Sequence, residues 1–148
     1  MHYYYFLPIT LLIVVSLSLL ITYLSINLKK TAIQVVNDMG FGWNLANSFD
    51  CYSNYQKIST PDEQITLFAN PIPTKNLIIS IKKYGFKTIR FPVTWMHFMD
   101  DNGNVNPEWM SRVKEVVDWI TESKMYCILN IYNDGVKGNW LSEGLKTK

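Results

Sequence analysis

With 148 residues, 48% of them hydrophobic and 18% charged, the chain has the composition of one folded domain and is too short for two large ones. Fourteen basic against twelve acidic side chains leave a formal charge of +2, which gives no electrostatic ground for a nucleic-acid partner. Aromatic residues make up 14%, and outside the first segment many stand beside Asn, Asp and Gly; such residues either stack on flat ligands such as sugar rings or pack the core and loops.

From Phe6 to Leu28 the chain reads FLPITLLIVVSLSLLITYLSINL without a charge, and Lys29 and Lys30 follow. About twenty apolar residues suffice to cross a bilayer as a helix, and Tyr3, Tyr4 and Tyr5 sit where interfacial aromatics gather. The run is long for a secretory signal and no small-residue cleavage site follows it, so residues 1–30 read as an uncleaved signal anchor in preference to a cleaved leader. Lys29 and Lys30, taken alone, keep the downstream side cytoplasmic.

Next, TAIQVVNDM sets Ala32, Val35, Val36 and Met39 at helical spacing and leads into GFGWNLANSFD, where glycines around Trp43 predict a first strand ending in a polar loop. The stretch 51–73 carries Pro61, Pro71 and Pro73 and no sustained period, which predicts a long loop. TKNLIISIKKYG starts with Thr74 as N-cap, presents Leu77, Ile78, Ile81 and Tyr84 on one face, and stops at Gly85. FKTIRFPVTW predicts a strand over 87–91 ended by Pro92, which has no N–H for a central ladder.

Beyond the DDNGN turn, Asn106 caps and Pro107 opens a helix whose buried face is Trp109, Val113, Val116, Val117 and Ile120. MYCILNI is a continuous apolar run of strand length, as expected for a strand covered on both faces, and WLSEGLK leads toward a third helix. Cys51 and Cys127 fit no metal-ligand spacing and make a poor disulfide framework, so both are expected as free thiols.

Strands alternating with amphipathic helices predict an α/β fold with a parallel sheet, either doubly wound or a (β/α)8 barrel. No G-x-G-x-x-G or phosphate-loop pattern follows a strand, which weakens the nucleotide-binding version. Each strand is followed instead by Trp, Asn, Asp or Arg, at the end where barrel enzymes build their sites.

GWNLANSFD, GFKTIRFPVTW, NPEWMSRVKEVVDWI and YCILNIYNDGVKGNWL together resemble, in order and spacing, glycoside hydrolase family five, and in particular its endo-β-1,4-glucanases. The resemblance covers residues 32 to 148 and rests on four motifs in register, each weak alone. It implies the first three units of a (β/α)8 barrel over residues 31–148 and retaining hydrolysis of a β-linked polysaccharide. It implies no cofactor and no metal, and a location for the barrel portion on the extracellular or lumenal side, membrane-anchored through 6–28 or secreted. That orientation is opposite to the one Lys29 and Lys30 favour.

In the family one Glu, after an Asn at the end of strand four, is the acid/base, and a Glu ending strand seven is the nucleophile. This sequence ends after strand three, short of the ~250 residues of a barrel. None of Glu63, Glu108, Glu115, Glu122 or Glu143 follows an Asn at a strand end; Glu108, Glu115 and Glu122 read as solvated helix positions. The resemblance therefore implies a chain inactive by itself, and the rival reading is a non-catalytic carbohydrate-binding or membrane-tethered interaction protein.

The same resemblance assigns Arg90 to the arginine that hydrogen-bonds the nucleophile carboxylate and keeps it ionised, against the plainer reading of a rim ion pair. It places Asn47 and Asp50 on the glycone side of the cleft, although both also suit turns. Tyr132 and Asn133 stand where the family usually has two histidines facing substrate; a hydroxyl and an amide keep the hydrogen-bonding capacity but not a titration near neutral pH. Trp95 and Trp140 are stacking platforms or loop packers, and Trp43 and Asn44 brace the strand or close the barrel bottom. Ala46 for the usual Gly, and LFANP for Trp-Gly-Asn-Pro, mark a divergent member.

Overall fold

The computed structural model of the protein describes residues 9–27 and 29–133. The chain divides into two compact units, Met1–Asn37 and Asp38–Lys148. In the first, helix α1 covers Ile9–Asn27. Ser16 donates to the Ile13 carbonyl at 2.9 Å, Ser18 to Val15 at 2.8 Å and Thr22 to Ser18 at 2.9 Å, so these three hydroxyls are satisfied within the helix's own turns.

A membrane-crossing helix over 6–28 is not met in the described residues: none of their helices is long and apolar enough to cross a membrane. Nineteen residues at ~1.5 Å each give α1 a length of about 28 Å, against a hydrocarbon core of about 30 Å. Both ends of the apolar run, with Tyr3, Tyr4 and Tyr5, lie outside the described residues. Helix α2, Ala32–Met39, begins on a reciprocal cap in which the Thr31 N–H donates to Gln34 Oε1 at 2.8 Å and the Gln34 N–H donates to Thr31 Oγ1 at 3.3 Å.

The second unit is built on strands β1 (Gly42–Asn44), β2 (Thr88–Val93) and β3 (Tyr126–Ile131), all parallel and in the order β1-β2-β3. Helices α3 (Pro61–Ile65) and α4 (Lys75–Lys83) lie between β1 and β2 in sequence, and α5 (Pro107–Glu122) lies between β2 and β3. The period of two sends Ile89, Phe91 and Val93 to one face of β2, where they join Ile78 and Ile81 of α4 and Trp109, Val113, Val116 and Ile120 of α5 in the core. Phe49, from the loop after β1, completes that core edge-on to Phe91 at 4.9 Å and tilted against Trp109 at 5.1 Å.

The anticipated caps are present. Thr74 Oγ1 accepts the Leu77 N–H at 3.2 Å, and Asn106 Oδ1 accepts those of Glu108 at 2.8 Å and Trp109 at 3.4 Å, ahead of Pro107 at the first helical position. Only Ile78 and Ile81 of the α4 stripe are buried; Leu77 and Tyr84 face solvent. The loop expected over 51–73 contains α3, because Thr60-Pro61-Asp62-Glu63 is a capping box: Thr60 Oγ1 accepts the Glu63 N–H while Glu63 Oε2 accepts the Thr60 N–H, both at 3.3 Å.

Strand β2 does not stop at Pro92. Arg90 and Thr94 bond toward the β1 side, where the Arg90 carbonyl accepts from Leu45 N at 2.9 Å and Thr94 N donates to Phe49 O at 3.0 Å, so Pro92 faces the same way. Strand β1 has already ended at Asn44, and the N–H that proline lacks is needed by no neighbour.

Among the described residues strand β3 is not covered on both faces either. It is the edge of the sheet among the described residues, and Leu129 and Ile131 remain 46% and 55% exposed. Asn130 Nδ2 donates to the Ile131 carbonyl at 3.0 Å along this edge.

Replacing the fully buried Trp109 by Ala should lower stability by about 3–5 kcal/mol, read as a fall in the urea midpoint. Replacing its exposed neighbour Met110 by Ala should change stability by no more than about 0.5 kcal/mol in the same assay.

Candidate functional site

The loops that follow β1, β2 and β3 meet at the C-terminal end of the sheet, around Arg90. Register pairs Arg90 with Asn44 on one side and Ile128 on the other, and alternation points it away from the face of Ile89 and Phe91. Its Nη1 donates to Asn44 Oδ1 at 2.7 Å, and its guanidinium lies 5.5 Å from the centroid of the Tyr132 ring, a cation–π contact. Asn44 thus braces the arginine itself. Among the described residues no carboxylate forms a salt bridge with Arg90. Asn44 accepts a hydrogen bond from the guanidinium fork, which can bind a planar acceptor through two donors.

Tyr132 continues the ladder of β3, donating its N–H to Val93 O at 2.9 Å, and its ring is partly exposed beneath Arg90. Asn133 adopts φ 55 and spends its Nδ2 on the Asp50 carbonyl at 3.2 Å. Asp50 is buried and folds its Oδ1 back onto the Ser48 N–H at 3.0 Å, which is turn chemistry. Asn47 is the turn's left-handed residue, with φ 58; its carbonyl accepts from Asn70 Nδ2 at 2.8 Å while its side chain is exposed. Arg90, Tyr132, Asn133, Asp50 and Asn44 are therefore brought together. Trp140 and Glu143 lie outside the described residues. Trp95 is partly buried and packs against the core, and Trp43 sits edge-on to Phe86 at 5.4 Å.

Two residues that sequence reasoning passed over hold this arrangement. Gln64 of α3 is fully buried, and its Nε2 donates to Phe49 O at 2.9 Å and to Thr94 O at 3.1 Å. Thr94 Oγ1 lies 2.7 Å from Tyr132 O and 3.1 Å from Asp50 O; having one proton, it donates to one of them at a time, and the shorter contact is with Tyr132. The available signal was a lone carboxamide between Pro61 and Ile65 on the apolar side of a capped turn.

The thiols offer no nucleophile. Neither is in a disulfide; burial pushes Cys51 up to about 11, with the Asp50 charge adding to the rise and a backbone hydrogen bond at Phe68 opposing it, and burial also raises Cys127.

The sequence profile of the cellulase family (glycosyl hydrolase family 5) matches residues 46–147, a span that contains Asn47, Asp50, Arg90, Tyr132, Asn133 and Trp140. Endoglucanase A of Clostridium longisporum is 42% identical over 113 residues, which are 76% of this chain and 21% of that protein. A GH5-4 broad specificity endoglucanase from an uncultured bovine rumen ciliate superposes with a TM-score of 0.75 at 64% identity, over 82% of this chain and 35% of that one. One from Ruminococcus champanellensis with bound cellotriose superposes with a TM-score of 0.69 at 35% identity, over 76% of this chain and 32% of that one. The chain thus spans between about a fifth and a third of the length of these proteins.

Gln64→Ala should strip the partner from the Phe49 and Thr94 carbonyls and cost at least about 2 kcal/mol, read as a lower urea midpoint. An unchanged midpoint would show that the buried carboxamide does not hold the loops together.

Proposed function

The chain belongs to the cellulase family, glycosyl hydrolase family 5, and from that premise we propose that it is the N-terminal, sugar-binding portion of a retaining hydrolase of β-1,4-linked glucans. In this reading the three parallel strands are the opening units of a (β/α)8 barrel, and the ends of β1, β2 and β3 form one wall of its cleft. The observation that carries it is Arg90, fixed by Asn44 and Tyr132 at the end of β2. A guanidinium so placed orients a nucleophile carboxylate and favours its ionised form.

Retaining glycosidases hold two carboxyls about 5 Å apart across the scissile bond. The described glutamates have other work: Glu63 closes the cap of α3, Glu115 pairs with Arg112 at 3.3 Å, Glu122 pairs with Lys75 at 2.8 Å, and Glu108 lies in the first turn of α5. Acid/base and nucleophile are therefore assigned to strands of the whole enzyme that these 148 residues do not supply. Asn47 presents its amide, and Asn133 its carbonyl oxygen, to vicinal hydroxyls, and Tyr132 supplies a ring and a hydroxyl in place of histidine. Asp50 acts through the turn it stabilises. Trp140 is retained as a stacking candidate because it lies within the matched span.

The polymer substrate does not cross membranes, so we place residues 31–148 outside the cytoplasm and assign the uncharged run 6–28 to targeting and membrane attachment. Protease added to right-side-out plasma-membrane vesicles should then digest residues 31–148, and full protection there would place them on the cytoplasmic side.

By itself the chain should release no reducing sugar from carboxymethylcellulose, yet cellotriose should shift the NMR resonances of the Arg90 guanidinium and the Tyr132 ring. Sugar release would overturn the assignment of the carboxylates elsewhere. Resonances unmoved at millimolar cellotriose would overturn the cleft.

A further inference from the structure

Tyr55 is 100% exposed, in the loop that follows β1. A tyrosine ring in water contributes no burial to the fold, and the turn it occupies makes no demand for an aromatic residue. The turn is nevertheless firmly built. Ser53 Oγ accepts the Tyr55 N–H at 3.1 Å and the Gln56 N–H at 3.0 Å, while the Ser53 N–H donates to His97 Nε2 at 3.4 Å in the loop after β2. Two rim loops are thereby tied together, and the ring is presented on an ordered turn.

Tyr55 shares the lining of a groove of about 340 Å³ with Asn54, Gln56, Lys57, Met96 and His97. That volume is at the small end of the range of about 300–1,000 Å³ for small-ligand sites. An exposed aromatic face beside amide and ammonium donors is the chemistry that receives a pyranose ring, whose C–H faces stack and whose equatorial hydroxyls accept.

We propose that Tyr55 and the groove formed by Asn54, Gln56, Lys57 and His97 are a sugar-binding subsite at the rim of the sheet, separate from Arg90 and Tyr132, that takes a further glucosyl unit of a β-linked chain. This rests on the β-glucan reading above and deepens it. A subsite beyond the point of cleavage adds affinity for polymer over short oligosaccharide, because each further ring bound lowers the rate of escape.

The test is affinity electrophoresis of the full chain in mild detergent, in native gels with and without hydroxyethylcellulose, alongside Tyr55→Ala, Tyr55→Phe and Tyr84→Ala. Tyr84 is a suitable control because it is 85% exposed and caps α4 ahead of β2, at the opposite end of the strands. The parent chain, Tyr55→Phe and Tyr84→Ala should be retarded alike, and Tyr55→Ala should lose on the order of tenfold in affinity. Retardation of Tyr55→Ala equal to that of the parent overturns the subsite and leaves the β-glucan reading standing. A parent chain that is not retarded overturns the subsite; if cellotriose also leaves Arg90 and Tyr132 unmoved, the β-glucan reading falls with it.

Discussion

The buried carboxamide of Gln64 is the point on which the C-terminal end of the sheet depends. Its two donors reach backbone carbonyls at Phe49 and Thr94, which belong to different loops. Neither loop has a ladder to organise it, and these bonds act with the Thr94 N–H to Phe49 O, the Thr94 hydroxyl beside Asp50 O and the Ser53 N–H to His97 Nε2 to set their relative position. Thr94 then passes the constraint on through its hydroxyl to Tyr132, and the ring of Tyr132 lies beneath Arg90. The two carbonyls that Gln64 serves would be costly to leave unpaired, whereas its own Oε1 has no partner among the described residues. The guanidinium of Arg90, held from the β1 side by Asn44, thus meets on its other side a ring whose backbone is anchored by this network.

Local rules read most of the scaffold correctly because each acts over one turn or one strand. Thr74 and Asn106 announced their helices, and the face of α5 followed from the spacing of Trp109, Val113, Val116 and Ile120. Two errors came from applying a local rule without its neighbour. Pro92 is compatible with a central strand because β1 is too short to need its N–H, and the length of β1 is a tertiary fact. The capping box at Thr60 was legible, but three prolines in the surrounding stretch outweighed it.

The site divides along the same line. Arg90 was recoverable from its motif, and its bracing by Asn44 follows once the parallel register of β1 and β2 is known. Asp50 and Asn47 were legible as residue types but not as roles, since a carboxylate that bonds the N–H two residues back looks the same in sequence as one that bonds a ligand. Gln64 and Thr94 carry no motif. Their importance arises from carbonyls contributed by residues 15 and 30 positions away, which no periodicity encodes.

The small contact between Asn130 and the Ile131 carbonyl has a consequence for how the chain behaves in company. Along β3 the groups of alternate residues turn away from β2, and such a row is a template on which a stray strand from another molecule can lengthen the sheet. A carbonyl already engaged by an amide from its own strand is a weaker landing point for that addition. Where the next strand of a barrel pairs with β3 this edge is covered, so the protection that Asn130 gives the Ile131 carbonyl matters while that neighbour is absent.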